Sequence, residues 1–301
     1  MSNSPHAQPS TDPTPESLGD WQRMRRDADA RARTDSTEAL LRAIALPGTQ
    51  KRLSPLDVID LGAGCGTNAL YLMPNLAAAG VQHQRWILVD QDAELLDLAV
   101  HDMKERAAEV AETIGVKLQI ETKVCCLDMA TDMDDVPMQG ADLVTAAALL
   151  QDVSGHWITD LSSRLEHFRV GAALMALNID GHVQWSPMEG RFDDDMVAAY
   201  HDGLRADRGL GPAEGADCVT VFGRAMVARG TTVQCFDASW ILDDLDTELQ
   251  EAYLARMHAG LLAGDQAHLA DWVERRRRWI DTDESDLVVG HYDLLAIRAI
   301  V

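Results

Sequence analysis

No stretch of this chain stays apolar for the roughly 18 residues that a helical bilayer crossing requires, so a membrane span is not expected. An export signal is not expected either. MSNSPHAQPSTDPTPESLGD has neither a charged head nor an apolar middle, and reads as a disordered polar tail over residues 1–19. A cytoplasmic protein is the expectation. Positive charge is scarce: 26 Lys and Arg stand against 49 Asp and Glu, a net charge of −23. A surface field of that sign repels nucleic-acid phosphates and anionic membranes, so neither is expected as a partner. The exception is the run RRRR at 275–278, which lies in a helical pattern and reads as a solvated face balancing nearby acids. Among the five cysteines there is no C-x-x-C pair and no His in a zinc-like pattern, so neither a disulfide nor a metal is expected. Cys125 and Cys126 sit in an apolar run, where burial as small hydrophobes is the default. Internal repeats are absent.

What is present is an alternation. Residues 21–44 read as one or two helices that cover something, stopped by Pro47 and Gly48. A strand DVIDLG then leads to a helix TNALYLMPNLAAAG, a strand RWILVD and a long helix over 93–114. Next come the strand TKVCCLD, a polar turn over 133–140, the strand ADLVTAAAL, a helix SGHWITDLSSRLEHF and the strand AALMALNI. Strands alternating with helices imply right-handed crossovers and a mostly parallel sheet covered on both faces, a doubly wound α/β fold. Beyond Asp180 the rhythm changes. GHVQWSP reads as a hairpin turn, residues 191–209 as a helix, and an Asp near 217 as a cap for the helix CVTVFGRAMVARG. A strand TTVQCFDASWIL, two helices over 243–281 and a last strand DLVVGHYDLLAIR follow. The expected architecture is one domain over 20–301. It divides into a helical cap (20–48), a ligand-binding half (56–180), an insertion roofing the sheet edge (181–230), and closing strands and helices (231–301).

The stretch VIDLGAGCGTNALYL places three glycines between a strand and a helix. Gly62 and Gly64 let the chain turn sharply and let a ligand approach bare backbone. Gly66 follows two positions later, so the run is G-x-G-x-G and not the dinucleotide fingerprint G-x-G-x-x-G. Acids discriminate better. Asp60, two residues before the first glycine, would repel a pyrophosphate and attract a ligand with ammonium and sulfonium centres, which favours S-adenosylmethionine. Asp90 ends the second strand, where an acid accepts from ribose hydroxyls. Asp128, after the third, is placed for an adenine amino group, with Met129 or Leu127 against the ring.

Together, DLGAGCG, LVDQD and CLDMA resemble the motifs of the Rossmann-like class I S-adenosylmethionine-dependent methyltransferases, over residues 56–179. The resemblance implies a seven-stranded, mostly parallel sheet whose last strand is antiparallel, with S-adenosylmethionine as the cofactor. Carried over by position, Asp60, Gly62 and Gly64 line its methionine part with Ala63 and Asn68 beside them, Asp90 and Gln91 meet the ribose, and Asp128 and Met129 the adenine. The segment AAALLQDVS resembles the border between methyl group and substrate, which points to Ala147, Leu149 and Asp152. The run ADLVTAAALLQDVSGHWITDL is most similar to bacterial small-molecule members.

Methyl transfer to an oxygen or nitrogen of a small metabolite needs positioning above all, and for a hydroxyl or protonated amine a base. The candidates are Asp152, His182, Tyr200 and His201. Arg23, Arg26 or Arg31 in the amino-terminal helices are placed to meet an anionic group of the substrate. Asp152 has a second reading, as the cap region of the next helix. DRGLGP at 207–212 reads as a simple connection or a lid hinge. An edge strand or the amino-terminal helices offer contacts for a homodimer. Two other functions fit less well: a nicotinamide-dependent oxidoreductase, and a methyltransferase-like scaffold serving a partner enzyme.

Overall fold

The computed structural model describes residues 17–44, 54–207, 209–259 and 266–298. The expected tail lies mostly outside these residues, as do Pro47 and Gly48. Where description begins, the chain is already ordered: Ser17 caps a first helix by accepting from the Asp20 amide, so helix replaces tail from Leu18. Three helices fill the amino-terminal segment instead of one or two: α1 (Leu18–Met24), α2 (Arg26–Ala32) and α3 (Thr34–Ile44).

The alternation that follows is the one the apolar periodicity predicts: β1 (Leu56–Leu61), α4 (Thr67–Ala78), β2 (His83–Asp90), α5 (Ala93–Ile114), β3 (Gln119–Cys126), β4 (Leu143–Ala147), α6 (Gly155–His167) and β5 (Ala172–Ser186). Local chemistry sets several ends. Asp92 accepts from the amides of Glu94 and Leu95 to start α5, and Gly115 closes it at φ +64°. Ser154, not Asp152, caps α6. Gly66, at φ +78°, opens α4, and a Cβ there would stand 2.8 Å from the Ala99 Cβ, so the glycine also sets how closely α4 packs on α5.

The chain continues through α7 (Arg191–Leu204), α8 (Cys218–Val227), β6 (Thr232–Asp237), β7 (Trp240–Leu242), α9 (Thr247–Ala259), α10 (Gln266–Asp281) and β8 (Asp286–Ile297). Sheet order is β3-β2-β1-β4-β5-β8-β6, with β7 paired to β8 as an eighth, short member. Strands β1 to β5 run parallel, and β8 lies antiparallel between β5 and β6. One face is covered by α3, α4 and α5 over a core containing Leu72, Trp86 and Leu174. The other lies under α6 and α8, around Ile158, Met175 and Phe222.

Several expectations are corrected. GHVQWSP is no hairpin: β5 runs on through Ser186, and two register shifts against β8 absorb the change of direction. TTVQCFDASWIL is two strands, not one. Asp217 makes no capping bond with its side chain and pairs with Arg205 at 3.0 Å instead. Cys125 is half-buried and Cys126 exposed. No helix among the described residues is long and apolar enough to cross a membrane.

The arginine run is not a solvated face either. Beyond the carboxyl edge of the sheet, α7, α9, α10, β7 and the extension of β5 and β8 build a third core. Arg276 is buried inside it. Its guanidinium pairs with Asp193 at 2.7 Å and lies within 6 Å of the Trp185, Trp272 and Trp279 rings, while Asp193 also accepts from the Trp272 indole at 2.8 Å. Arg275 pairs with Glu189 at 2.6 Å. Arg277 is half-buried, and Arg278 is exposed, one turn from Glu274. Removing one member of a buried pair strands the other charge, so Arg276→Ala is expected to cost about 3–5 kcal/mol. Arg278→Ala is expected to cost under about 0.5 kcal/mol. Urea midpoints of the two variants check the contrast.

Candidate functional site

The glycine turn sits at the carboxyl end of β1, where β1 and β4 have β2 and β5 as outer neighbours. Beside it opens a cavity of about 360 Å³, walled by α1, by the carboxyl ends of β2 and β4, by the segment after β3, by the middle of β5 and by the third core. That size is in the range of small-molecule sites.

At one end lie Gly62, Asp90, Gln91, Asp128 and Met129, and the wall also includes Ala147 and Leu149; the motifs point to all seven. Asp90 is tied to the turn: one carboxylate oxygen accepts from the Gly64 amide at 2.8 Å, the other from the Asp92 amide at 3.0 Å. Each oxygen keeps a second acceptor site for a ligand. Asp128 accepts from the Ala130 amide at 2.8 Å and is otherwise exposed. Trp157 fixes the Met129 backbone by donating its indole N–H to that carbonyl at 3.1 Å.

Asp60, Ala63, Gly64 and Asn68 do not form the cavity wall. Asp60 is 0% exposed behind the turn, accepting from the Asn68 amide at 2.7 Å, and Asn68 also reaches Thr145. Burial pushes the Asp60 carboxyl up to about 7; the Asn68 hydrogen bond and Arg33 oppose this, while Asp90 adds to it. Asp60 is sealed behind the turn and off the cavity wall, so on that wall the charge argument passes to Asp90 and Asp128. Gly64 is covered by Gln22 of α1, whose side-chain carbonyl accepts from the Cys65 amide at 2.9 Å. A Cβ on Gly64, already at φ +51°, would collide with that amide group.

The other end is aromatic. It comprises Trp21, Tyr200, Trp240, Tyr253, Arg256 and His291, with Arg25 and Asp152 also on the wall. Trp240 donates to Asp29 at 3.0 Å and packs against His291 with ring centroids 4.8 Å apart. Burial raises the Tyr200 and Tyr253 hydroxyls above the usual phenol range, so both stay protonated. His291, 4% exposed, is pushed down to about 3 by burial and then by Arg25. Its Nδ1 lies 3.0 Å from the Val289 carbonyl, which can only accept, so Nδ1 carries the proton and Nε2 the lone pair.

Of the four base candidates the cavity thus brings together Asp152 and Tyr200. His182 is exposed on the β5 extension, and His201 packs beside Gly181 away from the cavity, its ring pushed down by burial and by Arg205. The arginines are displaced too. Arg23 pairs with Asp20, Arg31 with Asp246, and Arg26 lines a separate depression against α4 and α5. Arg25 faces the cavity in their stead. A signal for it was present, because Leu18, Trp21, Gln22 and Arg25 follow i, i+3, i+4, i+7 and so share one helix face. No local pattern marks Trp240, Tyr253, Arg256 or His291. Gly209 and Leu210, from the 207–212 connection, also reach the wall.

An open sheet in this order, with one antiparallel strand slotted between the fifth parallel strand and the other edge, is the Rossmann-like fold of the class I S-adenosylmethionine-dependent methyltransferases. No protein-family model matches the chain, and no curated protein matches it in sequence. Among solved structures it is similar to a loganic acid methyltransferase with SAH, at 9% identity over 97% of this chain and 98% of that chain, TM-score 0.48. It is also similar to a cyclopropane-fatty-acyl-phospholipid synthase-like protein from Lactobacillus casei, at 15% identity over 92% of each chain, TM-score 0.46. A third is magnesium protoporphyrin IX methyltransferase from Synechocystis with bound SAH, at 12% identity over 93% of each chain, TM-score 0.43. Strand order, not these likenesses, identifies the fold.

Two outcomes follow from the turn. The folded protein keeps a proton on Asp60 that the unfolded chain loses near pH 4, so this group's contribution is greatest in acid, declines as pH rises towards about 7 and is level above. Asp60→Asn, which keeps the acceptor for Asn68, is expected to gain stability relative to wild type over that window; denaturation midpoints between pH 4 and 8 check it. Gly64→Ala is expected to destabilise the turn by about 1–3 kcal/mol through overpacking. Adding Gln22→Ala should recover the steric part and leave the cost of positive φ, read in the same midpoints.

Proposed function

We propose that this protein transfers the methyl group of S-adenosylmethionine to an oxygen or nitrogen atom of a small-molecule metabolite. The observation that carries the reading is one continuous cavity with acids at the strand ends and an aromatic chamber at its far end. The residues at the first end fit the cofactor. Gly62, at φ +64°, bares the backbone, Asp90 and Asp128 supply acceptors for ribose and base, and Leu127 and Met129 give the base an apolar wall. When bound, S-adenosylmethionine supplies a methyl carbon activated by its positive sulfur.

The chain's own part is to place and to enclose. Ala147 and Leu149 border the space between the two ends, and Leu18 and Trp21 of α1 close it on the solvent side. Positioning and exclusion of water are the main sources of rate for such a displacement. Tyr200 stays protonated and serves as a hydrogen-bond donor. His291 replaces His182 and His201: its Nε2 accepts a hydrogen bond and orients the acceptor, while an imidazolium this acidic does not retain the proton. Asp152 remains the candidate for receiving it. In this reading the cap over 20–48 covers the cofactor, 56–180 holds it, and segments from 181 onward build the acceptor side. The protein works in the cytoplasm without metal, membrane or nucleic acid.

Calorimetry with S-adenosylmethionine, S-adenosylhomocysteine and NADH tests the reading. Micromolar binding of the first two is expected, weakened about tenfold or more in Asp90→Ala and Asp128→Ala, because each loses hydrogen bonds to a charged group. Binding of NADH alone, or of none of the three, would sink it.

A further inference from the structure

The cavity is divided by charge. Its acids, Asp90, Asp128 and Asp152, lie at the end of β2 and in the segments after β3 and β4, whereas its two cations are Arg25, at the carboxyl cap of α1, and Arg256 of α9. Everything else on the wall is neutral, including His291. The two arginines differ. Arg25 lies 3.6 Å from Asp29, which offsets its charge. Among the described residues no carboxylate is within ion-pair distance of Arg256; its guanidinium lies over the Trp21 ring, 5.1 Å from the centroid, and beside the neutral Tyr200 hydroxyl. In a chain with 49 acidic residues, a cation on a cavity wall held by an aromatic face and by no acid is unusual.

The rings around it are concentrated as well. The whole chain has 7 Trp and 4 Tyr, and two of each line this end. Tyr200 and Tyr253 meet edge to face at 5.9 Å, Trp240 and Tyr253 at 6.3 Å, and Trp21 tilts against Trp240 at 6.2 Å. Aromatic groups in such tilted and edge-to-face packing offer both faces and edges to a flat ring.

We propose that the methyl acceptor is a flat, ring-bearing carboxylic acid bound as its anion, its carboxylate against the Arg256 guanidinium and its ring among Trp21, Trp240 and Tyr253. The proposal rests on the methyltransferase reading and narrows it. An arginine fork recognises a carboxylate through paired N–H donors, and the cation–π contact with Trp21 restrains that fork before the ligand arrives. A protonated amine would meet the same arginine with repulsion, so cationic acceptors are disfavoured. A carboxylate anchored on α9 leaves the opposite edge of the ring to face Ala147 and Leu149, on the cofactor side of the cavity.

The test uses the full chain saturated with S-adenosylhomocysteine. Benzoate, 4-hydroxybenzoate and indole-3-carboxylate are titrated by calorimetry beside their carboxamides, which keep shape and lose charge. At least one acid is expected to bind at least tenfold tighter than its amide. Arg256→Gln should abolish that preference, and Arg256→Lys should retain part of it. Arg256 is exposed on α9, so both variants are expected to keep the wild-type melting temperature, measured alongside. Equal binding of acids and amides, acid binding unaltered by Arg256→Gln, or no binding of any acid at millimolar concentration would overturn the proposal. Each of these, obtained on protein that does bind S-adenosylhomocysteine, leaves the methyltransferase reading standing; loss of S-adenosylhomocysteine binding itself removes that reading instead.

Discussion

Strand β4 stops at Ala147, opposite Ala176, but β5 continues, and past Asp180 its only sheet partner among the described residues is β8, from Val183 opposite Val289 to Ser186 opposite Asp286. This antiparallel ribbon projects beyond the carboxyl edge of the sheet, and the acceptor side depends on it. β7 pairs with its outer strand and sets Trp240 there; α7, α9 and α10 bury their apolar faces against it, which brings Tyr200, Tyr253 and Arg256 to the cavity. His291 is a residue of β8 itself. A two-stranded ribbon has little stability alone, so the packed helices and the buried Arg276–Asp193 pair are what hold it upright.

On the opposite side the constraint is the glycine turn. Backbone amides that would otherwise be unpaired are satisfied by side chains from two directions: Asp90 from β2 takes the Gly64 amide, and Gln22 from α1 takes that of Cys65. Helix α1 is therefore part of the turn as well as part of the acceptor wall, because one of its faces carries Gln22 to the glycines and Trp21 to the aromatic chamber, with Arg25 following at its carboxyl cap. A short helix joins the two ends of the cavity, and acids and arginines are segregated along it.

Much of this was legible in the order of residues. The lengths and periods of α4, α5, α6 and the first four strands follow from apolar spacing and breakers, since each buries a face set by its own local repeat. The cavity's cofactor end was legible too, because Gly62, Asp90, Asp128 and Met129 all follow strand ends, and strand ends in a parallel sheet converge on one edge. Asp60 shows where that logic fails. Position two residues before a glycine fixes its place in the chain, but whether it faces ligand or core depends on Asn68 and Thr145, which reach it from another helix and another strand.

The acceptor end was not legible. His182 and His201 sit in a segment expected to roof the site, yet strand alternation and helix phase turn both away, while His291, about a hundred residues on, turns in. The arginines tell the same story: Arg25 and Arg276 are buried and Arg23, Arg31 and Arg278 are not, in runs where composition treats them alike. Sequence alone determined the alternation, the doubly wound sheet and the glycine turn with its flanking acids, because those rest on contacts between near neighbours in the chain. Only tertiary structure decided which side chains share the cavity and which charges lie unpaired in it, because that depends on elements far apart in sequence meeting along β5 and β8.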